Sequence, residues 1–346
     1  MFKRCKVMQE RKKVCAGTED FTAFISSNGC YVDKTRFLRP LLTRTGVVAL
    51  FTRPRRFGKT LTMTMLRDFL KVDRENPGST QLQERLFKGL AVMEDRELCA
   101  RFMGQHPVIF ITLKDVSGRS FAEAVDSLAF SVSKIANGFS FLNDSPKLSA
   151  EDRRILSVLT SKSALLSEST LGSLKHSLSS LSSMLYKHYG RQVVVLIDEY
   201  DVPLAKAQQN GYHRDMVSFY NGFMSLLKLQ NWEQGNPIFK IVMTGCLRVA
   251  KNQIFTGANN FTPHTVLSKG FSSLFGFTPD EVEAYLGAFG LSDCMELARE
   301  NYDGYRIGAS ELFCPWDVCN FVHDALAARA EEGDGAVISA GNYWSG

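Results

Sequence analysis

None of the eight cysteines forms a C-x-x-C pair, and no histidine cluster lies beside Cys314 and Cys319, which are five apart. That excludes a zinc ribbon or a thioredoxin-like redox pair, and the thiols read as reduced and mostly buried. No apolar run nears the roughly 18 residues of a membrane span; the longest, such as Val193–Ile197, are strand-length. The basic start MFKRCKVMQERKKVC is followed by no apolar stretch, so it is not a secretory leader. The expectation is a cytoplasmic protein without a membrane partner. Charge of neither sign dominates: 41 Lys+Arg against 36 Asp+Glu leaves +5, with 45% hydrophobic and 22% charged residues. This is globular composition, not that of a disordered chain. At 346 residues the chain can bury roughly three quarters of its unfolded surface and needs no staples. No internal repeat is visible.

What is present is a series of short apolar runs. Val47–Phe51, Val108–Leu113, Val193–Ile197 and Phe239–Thr244 read as buried strands, separated by helix-length segments. Phe121–Asn137 and Tyr212–Leu229 fit crossover helices, so the pattern predicts an α/β fold with a mostly parallel sheet. Eleven serines fall between Ser157 and Ser183, as in a linker, but Leu171, Leu174, Leu178, Leu181 and Leu185 follow a 3-4-3-4 spacing. That spacing predicts one amphipathic helix packed on the core, with a partner-binding coiled coil as the other reading. Beyond Thr244 the character changes. Thr278-Pro279-Asp280-Glu281 fits a capping box, Asp303-Gly304 signals a turn, and Pro315 opens another helix. Glu331–Gly335 reads as a solvated linker ahead of an apolar, aromatic tail without an obvious partner.

Arg53-Pro54-Arg55-Arg56-Phe57-Gly58-Lys59-Thr60 follows the first apolar run and leads into LTMTMLRDFLK. It supplies the phosphate-loop pattern G-x-x-x-x-G-K-[ST] except for its first glycine, here Arg53. Gly58 permits close approach of the backbone, Lys59 reaches the β- and γ-phosphates, and the Thr60 hydroxyl binds Mg²⁺. Arg53 either closes the turn in an extended conformation with Pro54 fixing the next φ, or marks a degenerate loop. Arg55 and Arg56 either reinforce phosphate binding, contact a second polyanion or stay solvated. Val193–Ile197 ends in Asp198-Glu199, and paired acids after a buried strand are costly unless a cation or water meets them. Asp198 would hold Mg²⁺ and Glu199 would orient the attacking water, at the strand ends where open α/β sheets bind ligands. Thr244 closes the fourth run as a candidate γ-phosphate sensor. Arg248 could reach phosphate or a neighbouring subunit.

The stretches Tyr31–Leu42, Phe51–Leu66, Val193–Leu204, Ile241–Phe261, Phe275–Leu286, Asn301–Gly308 and Pro315–Val322 together resemble the bacterial AAA-ATPase-like proteins. Many of these carry a PD-(D/E)xK nuclease-like domain after the ATPase domain. The resemblance runs from about residue 28 to 325, and the family's own loop reads RPRRFGK[ST], so Arg53 is its habit. It implies a P-loop NTPase fold with ATP and Mg²⁺ as ligands, and a family hallmark at Tyr31, Asp33, Lys34 and Thr35 that closes over the nucleotide. From the residues alone, that hallmark reads equally well as a capped helix start. The expected organisation is a basic extension over 1–27, an ATPase domain over 28–276, a small mainly helical subdomain over 277–330, and a linker with a truncated tail over 331–346. With no Asp…Glu-x-Lys pattern downstream, nuclease activity is not expected. The leading expectation is Mg²⁺-dependent ATP hydrolysis. The alternative is a non-catalytic, nucleotide-gated module acting with a nuclease, DNA or another protein. A homo-oligomer completed by an arginine in trans, and DNA contact through Lys3, Arg4, Lys6, Arg11, Lys12 and Lys13, are weaker expectations.

Overall fold

The computed structural model describes residues 12–228, 235–246, 261–264, 271–333 and 336–343, which divide between two compact units. The larger unit comprises residues 35–55 and 65–268. At its centre lies a five-stranded sheet of β1 (Val48–Thr52), β2 (Val108–Thr112), β3 (Val193–Asp198), β4 (Ile238–Gly245) and β5 (Phe261–His264). The order is β2-β3-β4-β1-β5, and every neighbouring pair is parallel. A parallel sheet is covered on both faces, which is why β1 and β3 are apolar up to their last residues, Thr52 and Asp198, with every residue buried. β2, at one edge, alternates between half-buried and buried positions. β5 forms the other edge and contains Pro263, which an edge strand tolerates because it has a neighbour on one side only. The sequence pattern did not reveal β5.

The helix Phe121–Gly138 forms where its periodicity predicts. The Ser120 side chain caps it by accepting the Glu123 N–H, and Ala124, Val125, Leu128, Ala129, Val132 and Ala136 are buried. The second predicted crossover begins one residue later, as His213–Phe223, and tightens into a 3₁₀ turn over Met224–Lys228. The leucine stripe packs as expected, with Leu174, Leu178, Leu181 and Leu185 buried in the main core. It is not one helix, however: Leu171–Lys175 and Ser177–Tyr189 are separated at His176, whose ψ of +9° leaves the helical region. Each buried leucine contributes about 2 kcal/mol of apolar transfer. That outweighs the roughly 0.5 kcal/mol helix-propensity deficit of a serine, so the leucines pack even though the helix is interrupted.

The smaller unit gathers residues 1–34, 56–64 and 269–346. Its core holds Val282, Tyr285, Leu286, Leu291, Phe313, Val318, Phe321 and Val322, from the helices Pro279–Ala288 and Pro315–Glu332 and their connections. Thr278 and Glu281 form the predicted capping box. A hairpin of β6 (Tyr305–Ile307) and β7 (Ser310–Leu312) is present, but its turn is at Gly308, with φ +59°, and Asp303-Gly304 only leads into it. The N-terminal segment is stitched together by Lys13 N–H to Asn28 O (3.0 Å) and Cys30 N–H to Lys13 O (2.9 Å). Val14, Cys30 and Val32 pack on this core, as do Ile338, Ala340 and Tyr343 of the tail, so the tail has a partner after all. None of the described cysteines is in a disulfide. Among the described residues no helix is long and apolar enough to cross a membrane.

Candidate functional site

In the larger unit, strand order places β4 between β1 and β3, and Thr244 lies in register with Phe51 of β1. Thr244 and Asp198 are both fully buried, and the Thr244 hydroxyl donates to Asp198 Oδ1. The backbone is tied across the same strand ends: Tyr200 N–H donates to Thr244 O at 3.0 Å, and Leu113 N–H to Asp198 O at 2.9 Å. Asp201 Oδ2 accepts the Cys246 N–H at 3.1 Å, and the buried Tyr220 hydroxyl donates to Tyr200 O at 2.7 Å. Burial raises the Tyr220 phenol well above its ordinary pKa, with Tyr200 and Asp201 adding to the effect, so it remains a donor. Gly245 has to be glycine, since a Cβ there would lie 2.3 Å from Asp201 Oδ1 and 2.7 Å from the Tyr200 ring.

Glu199 stands within this web with φ +54°, a left-handed backbone that a glutamate rarely adopts. Such strain persists only where surrounding contacts over-determine the chain. Here the bonds from Tyr200 N–H and to Asp201 flank it on the C-terminal side, and the Asp198 carbonyl is held on the other. The Cys246 thiol lies 4.0 Å from Glu199 Oε2. The result is three carboxylates within four residues, with two of them, Asp198 and Asp201, almost wholly removed from water. Buried carboxylates of this kind attract a cation or donors.

The chain leaves β1 through residues 53–58 and enters the helix Lys59–Leu70. Arg53 is wholly buried: its N–H donates to Gly245 O at 3.0 Å, and its guanidinium to Thr52 O (2.9 Å) and His264 O (3.0 Å). Burial brings its pKa down to about 10. Desolvation likewise lowers the His264 imidazole, helped by the Arg53 charge, and that ring stacks on Phe51 at 5.0 Å. The Arg53 side chain thus braces the ends of β1 and β5. The left-handed positions fall at Arg56 (φ +66°) and Gly58 (φ +75°), so no glycine is required at 53. Left-handed residues set among right-handed ones are how loops turn N–H groups into an anion-binding concavity. Lys59 is 4% exposed at the start of a 12-residue helix, and Thr62 N–H to Gly58 O (3.0 Å) closes its first turn. Arg55 is exposed, Pro54 and Thr60 are half-buried, and Phe57 is buried.

The hallmark around Tyr31 is engaged within each unit. In the smaller, Tyr31 packs edge-on against Phe21 (5.3 Å) and Phe24 (5.9 Å). Lys34 Nζ donates to Glu281 Oε2 (2.5 Å) and Ser273 O (2.8 Å), and Glu281 also accepts the Thr278 N–H at 2.8 Å. Burial lowers the Lys34 pKa, against the pull of Glu281. In the larger, Thr35 Oγ1 accepts the Val92 N–H at 3.0 Å and Thr35 opens a 3₁₀ turn. Arg248 lies outside the described residues, as do Lys3, Arg4, Lys6 and Arg11. From the sequence, Asp201 stands undecided between a supporting group and plain surface, and nothing singles out Tyr200 or Tyr220. The available signal was Asp201 itself, three residues beyond Asp198 in the same acidic run.

The family described as predicted AAA-ATPase matches residues 15–255, well over half of the chain. An uncharacterized protein from the vnfD 5′ region of Azotobacter chroococcum mcd 1 is 24% identical over 310 residues, covering 89% of this chain and 51% of its own length. The chain therefore spans about half the length of that curated relative.

Proposed function

The chain belongs to the predicted AAA-ATPase family, and from that premise we propose that it binds ATP with Mg²⁺ and hydrolyses it. Family membership carries the coarser statement, a nucleotide-binding ATPase-like domain. The observation that carries the finer one is the buried Asp198–Thr244 pair joining β3 to β4, with left-handed Glu199 immediately after it. Strained residues of this kind cluster at active sites, ligand clamps and switch regions, and a carboxylate at this strand end is of the type that orients an attacking water.

Each residue has a proposed role. The backbone N–H groups of residues 55–60, running into the helix N-terminus, meet the phosphates, and Lys59 meets charge developing on the β- and γ-oxygens. The Thr60 hydroxyl and the Asp198 carboxylate are hard oxygen donors, the kind Mg²⁺ takes beside water and phosphate. Bound Mg²⁺ would neutralise phosphoryl charge. Glu199 orients the attacking water, and Thr244 fixes the carboxylate of Asp198 by donating to it. Arg248 is proposed to reach phosphate, in cis or from a second copy. ATP is preferred over GTP because no N-K-x-D sequence follows Thr244. The division into an ATPase domain over 28–276 and a helical subdomain over 277–330 remains part of the proposal.

The test is phosphate release measured beside equilibrium binding of ATP, with Mg²⁺ and with EDTA. Binding with Mg²⁺-dependent release is expected. Binding without release above background would reduce the reading to a nucleotide-gated module, and no binding at all would overturn it.

A further inference from the structure

Arg56 sits in the phosphate loop with a left-handed backbone, although it is not a glycine. Its side chain lies within the smaller unit, where its guanidinium carbon is 4.9 Å from the centroid of the Trp316 ring. Its Nη1 donates to the Tyr343 carbonyl, and Trp316 Nε1–H donates to the same oxygen at 3.2 Å. One carbonyl oxygen therefore holds an indole and a guanidinium against each other. Trp316 is itself seated tightly: a Cβ on Gly17, whose φ is +79°, would lie 3.2 Å from its ring.

The segment that supplies the carbonyl is also fixed. Tyr343 OH donates to Asp324 Oδ2 at 2.8 Å, Tyr302 OH donates to Gly341 O at 3.0 Å, and the Tyr302 and Tyr343 rings are 5.9 Å apart. The backbone at Arg56 is held as well as the side chain. The Cys314 thiol donates to Arg56 O at 3.8 Å, and burial pushes that thiol up to about 12, so it keeps its proton. Phe57, next in the chain, packs edge-on against Tyr305 at 4.8 Å.

A guanidinium stacked on an indole and bonded to a carbonyl is occupied in holding the loop and is not disposed as a phosphate ligand. We infer that Arg56 is a positioning residue, through which Trp316 and the segment 336–343 set the backbone of the phosphate loop. Its left-handed conformation then survives because the side chain is anchored. The inference rests on the loop being the nucleotide site, as proposed above.

The two roles for Arg56 differ in what lysine can replace. A phosphate contact needs a positive charge, which lysine keeps; a tether needs the flat, forked guanidinium, which lysine lacks. Arg56→Ala, Arg56→Lys and Trp316→Leu would be compared by amide hydrogen exchange over residues 53–60 without nucleotide, and by affinity for the β,γ-imido analogue of ATP. All three should speed exchange by about tenfold or more and weaken the affinity by about tenfold. KM for ATP should rise by a similar factor with kcat within about twofold, since the reacting groups are untouched. Wild-type affinity and exchange in Arg56→Lys, with a defect in Arg56→Ala, would overturn the tether and leave a charge contact. A folded Trp316→Leu protein with wild-type exchange would overturn it too. If Trp316→Leu does not fold, the two Arg56 variants decide alone. Exchange is read without ligand, so a wild-type protein that binds no nucleotide would sink the functional reading while the tether is still judged.

Discussion

The two ends of the central sheet both bury charge, and they do so differently. At the amino end of β4, Lys240 is 3% exposed, and its Nζ donates to Thr45 O (3.1 Å), Thr45 Oγ1 (3.0 Å) and Gly46 O (2.9 Å). Among the described residues its hydrogen-bond partners are neutral and come from one short segment before β1, and its Nζ lies 5.8 Å from the centroid of the Phe239 ring. At the carboxyl ends of β3 and β4, the charges are carboxylates: the Thr244 hydroxyl of β4 donates to Asp198 and the Cys246 N–H just beyond β4 to Asp201, while Tyr220 from a helix holds the adjoining Tyr200 carbonyl. Lys240 is a closed arrangement, complete within the protein. The acidic end sets three carboxylates within four residues around a left-handed glutamate, the arrangement we propose as the site for Mg²⁺ and the attacking water. Burial of charge alone does not separate structure from chemistry; the identity of the partners does.

The largest effect that would break this contrast is at the helix following β1. Lys59→Ala should abolish ATP turnover, by about 10³-fold or more, and weaken ATP binding measurably by calorimetry. Undiminished binding would remove residues 53–60 from the phosphate site. Next, Glu199→Gln keeps size and hydrogen bonding but loses the carboxylate. It should slow phosphate release by roughly 10²-fold with binding nearly intact; a wild-type rate would remove Glu199 from the chemistry.

Two smaller effects compare the sheet ends directly. Thr244→Val is close in volume but takes the donor from Asp198, and should lower unfolding stability by about 1–3 kcal/mol in urea. Retained stability would show that Asp198 does not depend on this hydroxyl. Lys240 should give the smallest change, visible only against pH. Burial lowers its pKa to about 8, whereas the unfolded chain titrates near 10.4. Between these values the unfolded state holds a proton that the folded state has lost, so this group makes stability rise with pH across about 8 to 10.4. The wild type should therefore gain on the order of 1 kcal/mol over that window relative to Lys240→Met. A pH-independent difference between the two would mean that Lys240 titrates normally.

How much of this was legible in the sequence follows from how local each feature is. Val193–Ile197 with Asp198-Glu199, and Gly58-Lys59-Thr60 after Val48–Thr52, are contiguous, so type, order and sheet class could be read directly. The capping box at Thr278 is equally local. β5 was missed because four residues containing a proline carry little strand signal until β1 pairs with them. The break at His176 was missed because a 3-4-3-4 spacing reports which face is buried and not whether the backbone continues. At the site, Asp201 and Tyr220 act on backbone groups of Cys246 and Tyr200, and those pairings depend on register and on packing of the helix His213–Phe223. For Arg53 the neighbouring residues allowed only a turn-closing or a degenerate-loop reading, because only the pairing of β1 with β5 reveals the carbonyl of His264 that its guanidinium meets.

The smaller unit is assembled from three separate stretches of chain, and that has a consequence for biosynthesis. Phe21 N–H donates to Thr64 Oγ1 at 3.1 Å, and Thr64 Oγ1 donates to Glu19 O at 2.8 Å, so the first two stretches meet early. The core they complete needs Val282, Phe313, Val318 and Phe321, which leave the ribosome more than two hundred residues later. During translation the whole of the larger unit's sequence is therefore made first, while Val14, Cys30 and Val32 wait without the apolar surface they will cover. Closing so long a separation costs little extra at equilibrium, because loop entropy grows only logarithmically with length. It costs time, and for that interval the N-terminal apolar residues lack the core they belong to, the circumstance in which nascent chains are prone to aggregate.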